Sequence, residues 1–339
     1  MVIVLAEDRP SHRVGVEIAV VSLLRHCPDA EVHLHCPWAD DRFTAWAARL
    51  GVAEVHTSRA DRASGWNVKP HLLLEHLAAG REEVVWVDAD VLTQRDWRPL
   101  LAGHGPDVLV ATEETFWGQA QGGTHRTRAW GLEVGRSMPW TVNTGLVRVT
   151  RAHVGLLTSW AQLLSDPRYL QAQRQPWQSR PLHLLGDQEV LTALLGSTAH
   201  AAVPVHLLEQ GTDIAQCFGP AGFTPGDRVR AALSPAGVPP LVHAMGPKPW
   251  QRPHRAPGVV GALRAGYDRA HAASSPYTVL AARHREDLMT GAGWLPRRSG
   301  ARRASLTGLP LAVVDDVVRR GRRRLGVGRY HVEGADQPR

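Results

Sequence analysis

The sequence predicts an α/β protein: a mostly parallel central sheet flanked by helices, with a helical C-terminal extension. Three observations carry this. Strand and helix signals alternate through the first 111 residues, the pattern of repeated βαβ units. Residues 84–87, Val-Val-Trp-Val, form a continuous apolar run of the kind a strand buried on both faces needs. The segments between strands carry apolar stripes and end at glycines, as helices do.

Taken in order, residues 2–6 form a first apolar strand, and apolar periodicity from 14 to 24 predicts a helix. Residues 31–36 alternate, with Val32, Leu34 and Cys36 on one face. Residues 43–50 read as a helix closed by Gly51, followed by a strand at 52–56. Asn67 is placed to cap a helix whose first turn tolerates Pro70 and whose stripe is Leu72, Leu73, Leu74 and Leu77, up to Gly80. Strands are expected at 84–87, 107–111 and 142–149, and helices at 153–164 and 188–195. Residues 112–140 read as one long loop containing five glycines, and such inserts are usually functional or disordered. Residues 219–240 also read as a loop, 241–244 as a short strand, 259–288 as mostly helical and 291–305 as a linker.

The charge is unevenly placed. The chain of 339 residues carries a formal net charge of +7, yet residues 1–296 hold equal numbers of acidic and basic side chains. Residues 297–329 hold ten arginines against Asp315 and Asp316. A neutral body argues against a nucleic-acid groove, which needs a basic stripe of its own. Three cysteines without a Cys-x-x-Cys pair fit neither a disulfide framework nor a thiolate zinc site, so a reducing, cytoplasmic setting is expected. Residues 1–6 lack the basic start of a signal peptide, and no run of 18 apolar residues predicts a membrane span. Lys69 and Lys248 are the only lysines, against 37 arginines.

Four short segments carry chemistry. The first is Asp88-Ala89-Asp90, directly after the apolar run 84–87. Residues two apart in an extended chain face the same way, so both carboxylates can reach one cation. Hard oxygen ligands at a strand end suit Mg²⁺ or Mn²⁺, above all when phosphate oxygens complete the shell. In open α/β sheets the ligand crevice lies beyond the carboxyl ends of the strands. The second is His243-Ala-Met-Gly246-Pro-Lys248-Pro-Trp250. It offers an imidazole as a third ligand, a glycine for close backbone approach and a lysine suited to phosphate. The third is Asn143-Thr-Gly145, entering a strand. In the fourth, Gly186-Asp187-Gln188-Glu189, Asp187 is well placed as a helix N-cap, with Gln188 and Glu189 in a partly exposed first turn.

Each segment has an ordinary explanation as a turn or cap. Their order and spacing together resemble the retaining nucleotide-sugar glycosyltransferases of family 8, which have the GT-A fold and include the glycogenin-like and lipopolysaccharide galactosyltransferases. The resemblance spans residues 1–250. It implies that Asp88, Asp90 and His243 bind Mn²⁺ (or Mg²⁺), with Ala89 between the carboxylates, and that Gly246 and Lys248 meet the donor diphosphate. It implies that Asn143, Asp187 and Gln188 surround the donor sugar and its anomeric carbon. Leu5 and Ala6 match the strand end near the nucleotide base, and Lys69 a basic residue near the donor. The implied reaction moves a hexose from a nucleotide-diphosphate sugar, UDP-sugar favoured, to a glycan, lipid-linked, protein or small-molecule acceptor. Three departures stand out: Gly246 and Lys248 are one residue closer than in the family, Glu189 follows Gln188 where the family often has Gly or Asp, and Glu7 and Asp8 match its base-binding Asp only loosely.

Two other classes use similar parts. A sugar nucleotidyltransferase would show a glycine-rich N-terminal loop, and residues 7–15 hold one glycine. A non-catalytic nucleotide-sugar or glycan-binding relative would not need all three metal-ligand candidates. Residues 113–140, with Phe116, Trp117, Trp130 and Trp140, offer a lid or acceptor wall. The expected division is a catalytic domain over 1–250, a helical extension over 251–290, and a basic linker and amphipathic tail over 291–339. In the tail, Val313, Val314, Val317 and Val318 share a helical side next to clustered arginines. That pattern suits peripheral contact, through 297–329, with an anionic membrane at the inner face.

Overall fold

The computed structural model describes residues 1–58, 64–115, 121–246, 248–251, 258–296 and 301–324. The strands are β1 (Val2–Ala6), β2 (Glu31–His35), β3 (Glu54–His56), β4 (Glu83–Val87), β5 (Val91–Thr93) and β6 (Leu109–Glu113), then β7 (Gln121–Gly123), β8 (Met138–Trp140), β9 (Val142–Thr150), β10 (Val205–Leu208), β11 (Ile214–Cys217) and β12 (Leu241–Ala244). The helices in the first half are α1 (Arg13–His26), α2 (Asp41–Leu50), α3 (Lys69–Ala78), α4 (Pro99–Ala102), α5 (His125–Ala129) and α6 (Val154–Leu164). They continue with α7 (Pro167–Gln173), α8 (Asp187–Leu195), α9 (Pro225–Leu233), α10 (Gly258–Ala273), α11 (Pro276–Ala281), α12 (Ala301–Leu306) and α13 (Leu309–Arg324).

Seven strands form the main sheet in the order β10-β6-β9-β4-β1-β2-β3. All neighbours run parallel except β9, which is antiparallel to both β4 and β6. Successive strand residues point to opposite faces, so each strand feeds two cores. Val2 and Val4 of β1 join Trp86, Trp160 and Leu191 beneath α3, α6 and α8. Ile3 and Leu5 join Val16, Leu34 and Val85 beneath α1 and α2. This is why the strand sequences are apolar throughout. It also explains β9, in which all nine residues are buried.

A second sheet, β11-β12-β5, sits at the carboxyl end of β4. The chain leaves β4, turns through Asp88–Asp90 with Val91 N–H donating to Asp88 O at 3.0 Å, and enters β5. Antiparallel pairing of β5 with β12 sets His243 opposite Val91. Two sequence-distant segments are thus brought to one point.

Several expectations need correction. Asn67 does not cap α3. It lies in a 3₁₀ turn, Gly65–Val68, and its Oδ1 accepts from the Tyr169 hydroxyl at 2.8 Å. Asp187 is not an N-cap either, because Gly186 holds that position and Asp187 is the first helical residue. Glu189 is wholly buried and paired with Arg126. The stretch 112–140 is not one loop: β7, α5 and β8 lie within it. Phe116 and Trp117 fall outside the described residues. Residues 219–240 contain α9, started by a Thr224–Asp227 capping box and Pro225.

Of the segment expected to be a linker, 291–305, the described residues on either side of 297–300 are docked. Leu295 and Ala304 share a core with Ile18, Leu92, Val242 and Tyr277. Arg228 of α9, fully buried, donates to the carbonyls of Phe223 (3.0 Å), Ser305 (3.3 Å) and Thr307 (2.7 Å). Of the tail, α13 is described to Arg324. Among the described residues no helix is long and apolar enough to cross a membrane.

Candidate functional site

A cavity of about 1500 Å³ opens beyond the carboxyl ends of β1 and β4 and the amino end of the antiparallel β9. Asp88 and Asp90 face it from the β4–β5 turn and His243 from β12, and one ligand atom from each lies within 4.8 Å of the others. His243 Nε2 is 3.1 Å from Asp90 Oδ1 and 3.9 Å from Asp88 Oδ2. Two carboxylates and one imidazole nitrogen aimed between them form a donor set that fits Mn²⁺ or Mg²⁺.

The lysines sit on either side of this cluster. Lys248 Nζ contacts Asp90 Oδ2 and donates to Ala244 O at 2.7 Å. Burial works to raise the Asp90 carboxyl, but Lys248 and His243 outweigh it and hold it below the usual carboxylate range. Lys69 is 3% exposed, at the start of α3. Its Nζ lies 3.0 Å from Asp88 Oδ1 and 3.2 Å from Asp187 Oδ2, and donates to Thr144 Oγ1 at 2.9 Å and Thr144 O at 3.1 Å. Burial would lower its pKa, but Asp187 and Asp88 more than reverse this, so it is raised and Lys69 is an ammonium ion.

Next to the acidic cluster lies an amide patch. Asn143 Oδ1 accepts from Gly145 N–H at 2.9 Å and from Thr112 Oγ1 at 3.2 Å. Asn143 Nδ2 donates to Glu114 Oε2 at 2.9 Å and lies 3.4 Å from Gln188 Oε1. Gln188 Nε2 donates to the same Glu114 oxygen at 2.8 Å. Thr144 Oγ1 donates to Asp187 Oδ2 at 2.7 Å. Two networks therefore meet at the cavity: Asp88, Lys69, Thr144 and Asp187 form one, and Asn143, Gln188, Glu114 and Thr112 the other.

The structure brings Asp88, Ala89, Asp90, Asn143, Asp187, Gln188, His243, Gly246 and Lys248 to one cavity, with Ala6 and Lys69 in its wall. Leu5 is not in that wall. Its side chain points to the opposite face and is 1% exposed in the core beneath α1. Gly246 adopts φ +66, which favours glycine. Trp250 of the same segment packs on Gly15, where a Cβ would lie 2.8 Å from the indole ring. Glu7 and Asp8 also line the cavity, but Glu7 holds Arg9 in two hydrogen bonds of 2.7 and 2.9 Å, and Asp8 accepts from Gly65 N–H.

Sequence reasoning missed three residues. Glu114 follows β6 in a stretch that reads as loop, although a strand run ending in Glu113-Glu114 is the same kind of signal as Asp88. Thr144 is the unnamed middle residue between Asn143 and Gly145. Trp86 reads as core, yet its Nε1 donates to Asp88 Oδ1 at 2.7 Å. Of the aromatics expected to form an acceptor wall, Trp130 is buried with its Nε1 donating to His183 O, and Trp140 is exposed.

No family model matches the sequence, and no curated protein matches it. Among solved structures, the chain is similar to several glycosyltransferases. One is the glycosyltransferase GlyE of Streptococcus pneumoniae, at 14% identity and TM-score 0.45, covering 79% of this chain and 59% of that one. This chain thus spans less than two thirds of the pneumococcal protein. A second is the galactosyltransferase LgtC, in complex with donor and acceptor sugar analogs, at 18% identity and TM-score 0.46, covering 85% and 100%. A third is mouse xyloside xylosyltransferase 1, at 15% identity and TM-score 0.41, covering 72% and 97%.

Proposed function

We infer that this protein is a metal-dependent glycosyltransferase of the GT-A fold, moving a hexose from a nucleotide-diphosphate sugar to an acceptor with retention of configuration. A UDP-sugar is the favoured donor. Residues 1–250 form the catalytic part. The observation that carries this reading is the convergence of Asp88, Asp90 and His243, with Lys248 beside them, at the carboxyl end of a parallel sheet.

Asp88, Asp90 and His243 would hold Mn²⁺ or Mg²⁺. When bound, the ion supplies a Lewis acid that offsets the charge developing on a departing diphosphate. Lys248, now against Asp90, is the mobile point charge that turns to the diphosphate, with the Gly246 backbone giving close approach. Asn143, Gln188 and Glu114 offer polar groups to the sugar hydroxyls. Asp187 is engaged by Lys69 and Thr144, and a carboxylate so held is a poor nucleophile. The Gln188 amide is a poor nucleophile as well. Its oxygen suits the positive character that grows at the anomeric carbon. These features favour same-face attack, with the leaving phosphate oxygen taking the acceptor's proton.

The test is release of UDP from a panel of UDP-sugars with Mn²⁺, with and without candidate acceptors. Wild-type protein should turn over at least one donor, and Asp90→Ala should lose that activity while keeping its thermal midpoint. Full activity of Asp90→Ala in the presence of chelator would overturn the reading. We further propose that α13 and the arginines of 297–329 hold the protein against an anionic membrane surface.

A further inference from the structure

A second group of metal-ligating side chains lies at the β3 edge of the main sheet, and none of the four sequence segments accounts for it. His33 of β2 is paired directly with Glu54 of β3, and His56 follows Glu54 by two residues, so all three share one face of the sheet. Glu54 Oε2 lies 3.1 Å from His56 Nε2 and 3.5 Å from His33 Nδ1, and the three donor atoms are all within 4.8 Å of one another. Donors on a tetrahedral ion with bonds of about 2.0–2.1 Å sit about 3.3 Å apart.

Hydrogen bonding by neutral imidazoles does not account for this arrangement. His33 is 2% exposed, and its Nε2 already faces Glu31 Oε1 at 3.1 Å. Neither His33 Nδ1 nor His56 Nε2, both buried, makes a hydrogen bond. A neutral imidazole has one N–H, so His33 cannot donate to Glu31 and Glu54 together. A metal ion resolves this. Nε2–H stays with Glu31, and the Nδ1 lone pair is free to ligate. A carboxylate on the far nitrogen is the usual support of a metal-bound histidine. Glu31 is itself anchored by Arg81, through contacts of 2.5 and 3.2 Å. The His56 ring is stacked on His35, 4.2 Å between centroids, which fixes its plane.

We propose that His33 Nδ1, Glu54 Oε2 and His56 Nε2 form a second metal site, selective for Zn²⁺ or a similar borderline divalent ion, with a fourth position open to water. Two imidazoles and one carboxylate suit Zn²⁺, whereas the oxygen-rich Asp88–Asp90–His243 group suits Mn²⁺ or Mg²⁺. The ion would clamp the three-residue edge strand β3 to β2. His35 and His56 line the same large cavity, so the clamp also shapes its wall.

The test uses full-length protein stripped of metal, in the Asp90→Ala background that takes a ligand from the first site. Titration with Zn²⁺ should show one ion per chain at sub-micromolar affinity, and Co²⁺ should give the intense visible bands of a four-coordinate site. His33→Ala and His56→Ala should weaken Zn²⁺ at least a hundredfold. Glu31→Gln should weaken it about tenfold, in line with the loss of a ligand's supporting partner. Glu54 is exposed, so Glu54→Ala should keep the metal-free thermal midpoint and lose the upward shift that Zn²⁺ gives the parent. Absence of Zn²⁺ binding in the background protein would overturn the proposal. So would binding unchanged in both Glu54→Ala and His56→Ala.

Discussion

Gly145 lies directly against the imidazole of His243. A Cβ at position 145 would sit 2.6 Å from His243 Cε1 and 2.7 Å from Nδ1, and 2.9 Å from Asn143 Oδ1. Glycine is needed here for space and not for its backbone freedom. Gly145→Ala should push the ring off its line between Asp88 and Asp90. Mn²⁺ affinity, read by titration with paramagnetic resonance detection, should fall about tenfold or more. Overpacking of this kind costs about 1–3 kcal/mol of stability, so the fold should persist. Unchanged Mn²⁺ affinity in the folded variant would separate His243 from the metal.

That contact shows what the sequence revealed and what it hid. Alternating apolar runs placed the parallel strands, because burial of β1 and β4 on both faces leaves an unbroken apolar signature. The turn Asp88–Asp90 was legible for the same reason: charge directly after such a run is costly unless it serves something. The Asn143–Gly145 pair was visible, but its reason was not, since the ring against Gly145 comes from a residue 98 positions later. The cap assignment of Asp187 failed for a related reason. A local rule gives its carboxylate to the helix end, whereas Lys69 and Thr144 claim it from other elements. Short helices are hidden too, α9 by its own Pro225 and Gly226 and α5 by the glycines that flank it. They are held by buried contacts, as with Arg126 on Glu189, and not by local propensity.

Lys69 should be needed for stability as well as for any chemistry. It is a buried cation between two carboxylates, so Lys69→Met leaves Asp88 and Asp187 facing each other without a counter-charge. Removing one partner of a buried ionic group costs about 3–5 kcal/mol. Urea unfolding should show a loss of that order. Lys69→Arg should not restore it, because the space around Nζ is closed by Thr144 and Trp86. A loss below about 1 kcal/mol would mean the network tolerates an uncompensated pair.

His284 should make the protein acid-sensitive. It is 1% exposed, and burial, with Arg25, His26 and Arg283 nearby, lowers its pKa from 6.5 to about 4. The unfolded chain therefore takes up a proton at a higher pH than the folded one. The stability this group contributes is complete above about pH 6.5 and is lost as pH falls towards 4. A tenfold difference in proton affinity between the folded and unfolded chain is worth about 1.36 kcal/mol, so the total is up to about 3 kcal/mol. His284→Leu should flatten the stability profile between pH 4 and 6.5 by about that amount. A parallel profile in the variant would assign the acid loss to other groups.

Arg228 should be the fastening of the C-terminal segments. Its guanidinium serves backbone carbonyls of Phe223, Ser305 and Thr307. Arg228→Met keeps the apolar stem and removes the donors, and should cost about 3 kcal/mol. Limited proteolysis between residues 291 and 308 should accelerate with it. If the variant cleaves no faster than wild type, the shared core around Tyr277 and Leu295 suffices without the arginine.

The exposed side of α13 offers the test of membrane contact. Val313, Val314, Val317 and Val318 are 44–64% exposed, while Ala312 on the other side is buried. Truncation before residue 301 is therefore a poor test, because it removes Ala304 and Ala312 from packed positions. Val314→Asp with Val317→Asp alters only the outward face. An amphipathic helix binds through buried apolar area together with attraction between its basic residues and anionic lipid. Wild-type protein should sediment with vesicles containing phosphatidylserine, less so as salt is raised through the range where the Debye length falls below about 8 Å. The double variant should lose most of that binding at an unchanged thermal midpoint. If it sediments as wild type does, the valine face is not in the lipid and the arginines act alone.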